Sequence, residues 1–147
     1  GYGLSHSYVG EYSSLTFSGA VSSGKHAFAS AGLTHKDIDV AELYDCFTIT
    51  EIIELEDLGF CAKGEGGAFV EGGRISLGGE LPITTHGGLL SGGHFGLGGG
   101  FLHVLEAVRQ IRGTAGERQI KDARTALVHG NGGTIAIHCT LIFGDAA

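Results

Sequence analysis

Between Thr84 and Gly100 the chain reads TTHGGLLSGGHFGLGGG, two histidines set in a run of glycines. Glycine loses more conformational entropy on folding than any other residue. A dense cluster inside a globular chain therefore answers a backbone need: turns with positive φ, or close approach of the main chain to a ligand. The whole chain has 28 glycines and one proline with no repeat period, which excludes collagen and solenoids. The loop lies just before an amphipathic segment, so it points free N–H groups at whatever sits there. It is expected to present His94 to a reaction centre.

The 147 residues suffice for one domain, 1–147, with a real core. Hydrophobic content of 42% against 17% charged residues describes a globular chain. The net charge of −7 and the scattered basic residues disfavour nucleic-acid binding, which needs clustered Lys and Arg. No apolar run has the length of a membrane span. Cys46, Cys61 and Cys139, odd in number and widely spaced, suit reduced thiols in a cytoplasmic protein.

Apolar periodicity places a helix from about Leu15 to Ala31 and a buried strand over Ile38–Tyr44, then a helix over Phe47–Leu58. Lys63–Gly79 is loop with one short strand at Ala68–Val70, and Leu81–Thr84 is extended. From Leu97, Phe101, Val104, Leu105, Val108 and Ile111 follow i, i+3, i+4, i+7 as one face of a helix. Thr125–His129 and Thr134–Phe143 read as a hairpin closed by the His129–Gly133 turn, and Gly1–Glu11 as an irregular lead-in. Alternation of this kind argues an α/β fold, a mixed sheet with helices on its faces. Chemistry in such folds gathers at strand ends, where Tyr44, His94 and His129 converge.

Each candidate has a bland alternative. A lone histidine is more often a packing residue than a catalyst, although a helix N-terminus beside His94 favours a neutral ring able to act as base or donor. Tyr44 with Asp45 is either an oriented hydroxyl donor or a satisfied core tyrosine. His6, His26, His35, His103 and His138 read as ordinary surface or packing residues. No HxH, HxxxH or CxxC spacing marks a metal site, so none is expected. Gly96-Leu97-Gly98 lacks the register of a phosphate loop.

The run AELYDCFTITEIIELEDLGFC resembles the thiolase superfamily in its lipid-transfer or sterol-carrier branch, whose members carry an ELHDCF-type segment and an LGLC ending. GGLLSGGHFG is similar to the NPSGGL…GHPxG loop, and EAVRQIRGTAGERQI with ALVHGNGGT to the following helix and closing strands. This resemblance spans nearly the whole chain. It implies the C-terminal half of a thiolase fold, completed by an N-terminal half that carries the nucleophilic cysteine. His94 matches the GHP histidine, His129 the second acid/base position, and Tyr44 the oxyanion-hole Asn or His. His86, Gly87, Gly88, Gly132 and Gly133 fall where substrate is bound.

The implied activity is thiolysis or Claisen condensation of acyl-CoA thioesters. Coenzyme A enters as part of the substrate, and no bound cofactor is expected. The resemblance also implies a homodimer of the complete protein and a small zinc-ribbon/OB-fold partner. Tyr44, Phe95 after His94, and Thr84 in place of Asn depart from the family pattern. A related aldolase group carries the tyrosine but lacks the histidine matched by His94, so retention of His94 favours thiolysis or Claisen chemistry, with retro-aldol cleavage of a β-hydroxyacyl-CoA as the alternative. A non-catalytic half that only dimerises or binds a partner is another.

Overall fold

In this computed structural model, which describes residues 1–145, segments distant along the chain build a mixed sheet of four strands. The strands are β1 (Tyr2–Leu4), β2 (Val40–Glu42), β3 (Thr125–Gly132) and β4 (Ile137–Gly144), in the order β1-β4-β3-β2. β1 and β3 run antiparallel to β4, while β2 lies parallel to β3 with Ala41 opposite Leu127. Ile83 bridges Ala41 in parallel and extends the sheet by the short piece expected at 81–84.

Alternation of side chains along the strands divides the core in two. Ala41 and Leu127 face α1 (Ala20–Ala31) and α2 (Thr48–Leu58), packing with Ala20, Phe28, Leu55 and Leu58. Val40, Ala126 and Val128 face the other way, onto Ala107 and Val104 of α5 (Gly99–Ile111). Two short helices, α3 (Gly66–Val70) and α4 (Gly88–Gly92), occupy the glycine-rich connections.

The α/β class is as expected, but several local readings change. The first helix starts at Ala20, because Gly19 forms its N-terminal boundary and 15–17 stay outside. Ala68–Val70 belongs to helix α3, not to a strand: Phe69 N–H closes a turn onto the Glu65 carbonyl. Tyr2–Leu4 is a true edge strand, too short to show a period, with Gly3 fitting close to Gly19. The hairpin turn lies later than expected. Asn131 and Gly132 pair with His138 and Ile137, and the reversal falls on 133–136. Among the described residues no helix is long and apolar enough to cross a membrane.

Candidate active site

β2 is followed directly by Leu43-Tyr44-Asp45, and the two polar residues diverge. Asp45 is buried and accepts hydrogen bonds from the Leu89 and Leu90 N–H groups at 2.7 and 3.1 Å, holding the start of α4. Gly88 must be glycine there: its φ is +65°, and a Cβ would collide with the Asp45 carboxylate. The turn sends the chain back over β2, so that His94 comes down on Tyr44. Tyr44 Oη lies 3.1 Å from His94 Nε2. Gly99, the first residue of α5, leaves room for the phenol, since a Cβ would crowd Tyr44 Oη and Leu89.

The hydrogen-bond pattern fixes the tautomer of His94. Gly96 N–H donates to Nδ1 at 3.1 Å, so the neutral ring carries its proton on Nε2 and donates it to the phenol oxygen. The phenol's own hydrogen is then free to point elsewhere. Burial, then the neighbouring Cys46, Asp45 and Glu54, push the Tyr44 hydroxyl above its ordinary pKa, so it stays a donor.

The pair opens onto a cleft of about 590 Å³ whose other wall is the end of β3, with Gly130, Asn131 and Gly132, and the turn that follows from Gly133. Thr134 and Ile135, also on this wall, have φ of 59° and 60°, a left-handed conformation that costs a β-branched residue about 1–2 kcal/mol. Glu54 of α2 sits beneath both walls. Its carboxyl accepts from Tyr44 N–H at 3.1 Å and from Asn131 Nδ2 at 2.7 Å, and burial raises its pKa well above 4.5.

His129 lies behind this wall and is fully buried. Its Nδ1 is 2.9 Å from Thr140 Oγ1 and its Nε2 is 3.1 Å from His138 Nδ1. His138 Nε2 donates to the Ile135 carbonyl at 3.0 Å, which fixes the direction of the chain. Thr140 donates to His129, His129 to His138, and His138 to the strained turn. Burial, then the adjacent His138, lowers the His129 pKa to about 3, so both rings are neutral under ordinary conditions.

Of the residues expected to touch substrate, Tyr44, His94, Gly132 and Gly133 line the cleft. His86, Gly87 and Gly88 do not: His86 turns inward to Glu42 at 2.9 Å, and the two glycines shape the start of α4. His129 does not face the cleft and is connected to its wall by hydrogen bonds through His138 to the Ile135 carbonyl. Sequence reasoning missed Glu54 as the tie between the walls and His103, which is completely buried in α5. A signal for the latter existed, since His103, Glu106 and Gln110 share one helical face.

Residues 1–145 match the sequence model of a family described as thiolase C-terminal domain-like. The chain belongs to this family. An acetyl-CoA acetyltransferase of Methanothermobacter thermautotrophicus is 43% identical over 121 residues, covering 80% of this chain and 32% of that protein. Sterol carrier protein 2 of Bos taurus is 41% identical over 115 residues, covering 77% of this chain and 21% of that protein. A solved Ltp2-ChsH2(DUF35) aldolase superposes on all of the chain and 39% of its own, with a TM-score of 0.84 at 32% identity. This thiolase C-terminal domain thus spans about a third, or less, of the curated relatives it matches.

Proposed function

We propose that this domain is the C-terminal catalytic half of a thiolase-like acyltransferase acting on acyl-CoA thioesters, with the nucleophilic cysteine supplied by an N-terminal half. The observation that carries the proposal is the Tyr44–His94 pair, 3.1 Å apart at the mouth of a glycine-walled cleft. His94 Nε2–H polarises the phenol, and the phenol hydrogen meets negative charge developing on a thioester oxygen. Preorganised donors of this kind act where the transition state, not the ground state, is charged. Gly130, Gly132 and Gly133 let the thioester approach the main chain.

In thiolysis the cysteine attacks the β-keto carbon and the Cα–Cβ bond breaks, leaving the shortened chain on the cysteine as an acyl-enzyme and releasing the enolate of the CoA thioester that keeps C1 and Cα. That enolate takes a proton, and coenzyme A thiol then removes the acyl group. The N-terminal half would also cover the apolar stripe of α5, where Phe101 and Leu105 are 70% and 51% exposed. A homodimer of the complete protein and a zinc-ribbon/OB-fold partner fit this reading, as does a cytoplasmic location.

The test joins the chain to its N-terminal half, supplies a β-ketoacyl-CoA with coenzyme A, and looks for an acyl-enzyme by intact mass. An adduct and turnover that both fall in His94→Ala support the proposal; undiminished turnover in that variant overturns it. Retro-aldol cleavage is favoured by one observation, a tyrosine in the leading position on a scaffold shared with an aldolase. In that case the Tyr44 hydroxyl donates to the thioester oxygen as the Cα–Cβ bond breaks, and the β-hydroxyl gives up its proton to solvent while the enolate α-carbon takes one from it. Cleavage of a β-hydroxyacyl-CoA without any adduct would select it.

A further inference from the structure

Beneath the cleft and separate from it, β2, the turn before α4 and α5 each send one metal-ligating side chain to a common point. They are Glu42, His86 and His103. We propose that these three residues form a structural site for a divalent first-row metal ion, with zinc as the fitting occupant, that clamps the His94-bearing loop to β2 and α5. One ligand atom from each side chain lies within 4.8 Å of the other two. An ion at the centre of three donors no farther apart than 4.8 Å sits at most about 2.8 Å from each, so side-chain shifts under about 1 Å reach Zn–N and Zn–O distances of 2.0–2.2 Å.

The independent observation is His103. Its side chain has no solvent exposure, yet neither ring nitrogen has a hydrogen-bond partner. Buried polar atoms are nearly always paired, and an orphaned imidazole implies an ion or a water between it and its neighbours. Its Nδ1 is 3.8 Å from Glu42 Oε2, too long for a hydrogen bond and suited to two ligands on one ion. His86 Nδ1 approaches the same oxygen at 2.9 Å, and its side chain, 11% exposed, offers the route in.

The surroundings of Glu42 are those of a fixed ligand. Its other oxygen accepts from Thr85 N–H at 3.1 Å and from the Thr85 hydroxyl at 2.6 Å, so Oε2, which takes the His86 Nδ1 hydrogen bond, is the oxygen that turns to the metal as that proton leaves. Gln110 Nε2 donates to that hydroxyl at 3.1 Å, and Arg118 balances the neighbouring Glu106 carboxylate at 3.0 Å. Such an outer ring of hydrogen bonds orients ligands and is a regular companion of metal sites. Two imidazoles and one carboxylate suit zinc, whose filled d-shell imposes no geometry of its own.

The experiment uses the full protein without any zinc-ribbon partner, stripped with a chelator and titrated with Zn²⁺, and in parallel with Co²⁺ as a chromophoric probe. Expected are one equivalent bound per chain, a visible Co²⁺ spectrum of low coordination number, and a higher Tm with metal than without. His86→Gln, at the outermost ligand, should fold and lose at least about 100-fold in affinity together with the Tm response, and Glu42→Gln should behave alike. Absence of stoichiometric binding, or binding that survives His86→Gln and His103→Gln unchanged, overturns the proposal. Neither readout depends on turnover, so a failure here leaves the reaction assignment where it was.

Discussion

Lowering the pH from about 7.5 to about 5 should destabilise the fold through His129, and the size of the effect follows from its burial. The ring's pKa in the folded chain is about 3 against an ordinary 6.5. Between those values the unfolded chain takes up a proton that the folded chain refuses, so stability is present in full above about 6.5 and is lost as the pH falls. At 1.36 kcal/mol per unit, the loss by about pH 5 is about 2 kcal/mol. Glu54, 3.8 Å from His129 Nε2, works in the opposite sense. Its folded pKa is raised well above 4.5 by burial, so it stabilises the fold as the pH falls and would mask the histidine.

His138, the other titratable group on the ring, is also held neutral by burial. The comparison therefore belongs in a Glu54→Gln background, which keeps an acceptor for Asn131 Nδ2. Urea unfolding at the two pH values for Glu54→Gln and for Glu54→Gln/His129→Gln should show an additional drop of about 2 kcal/mol in the first only. If the two variants lose stability in parallel, the folded chain is protonating His129, and the relay direction drawn from Thr140 to the Ile135 carbonyl is wrong.

Tyr44→Phe in the assembled protein should lower kcat about 10²–10³-fold with little change in KM, and His94→Ala similarly, the double variant falling little further because the two act as a unit. Gly88→Ala should cost about 1–2 kcal/mol in urea unfolding, since the residue has φ +65° and its Cβ would meet the Asp45 carboxylate. Leu55→Ala, at a side chain with no exposure in the larger core cluster, should cost about 2–5 kcal/mol by the same measurement. Ile135→Gly should raise stability by about 1 kcal/mol by relieving the left-handed backbone, while slackening the cleft wall and lowering kcat.

The long helices, the core strands of the mixed sheet and the Tyr44–His94 meeting were legible because periodicity and strand-end position are local signals. What was not legible depended on long-range pairing. Tyr2–Leu4 becomes a strand only because β4 is there to receive it, with Tyr2 opposite Cys139. The reversal of the hairpin looked like Asn131-Gly132, a strong local turn signal. It moves to 133–136 because the ladder runs on through Gly132, opposite Ile137. Glu42, His86 and His103 are far apart along the chain, and no spacing rule joins them. His86 was expected among the substrate-binding positions, yet the positive φ of Gly87 and Gly88 turns the chain so that its ring goes inward.

α5 carries the largest reversal, and it bears on what the domain is for. The apolar stripe read from the sequence, Phe101, Val104, Leu105, Val108 and Ile111, is not the helix's innermost face. The completely buried positions include His103, Glu106 and Gln110, while Phe101 and Leu105 lie largely in the open. Within its own domain the helix satisfies Glu106 and Gln110 of that polar edge, by Thr85, Arg118 and main-chain groups at Arg118 and Ile120. Its apolar edge then remains for another surface. The cavity between Phe101, Val104, Cys139 and Leu141 continues that surface onto the sheet, on the side of Gly130 and next to the cleft. A second half seated there would reach Tyr44 and His94 from the open side of the cleft, where an incoming nucleophile must stand. Under the proposed function the apolar edge of α5 is the contact for the N-terminal half, and burial of the polar edge is what leaves it exposed.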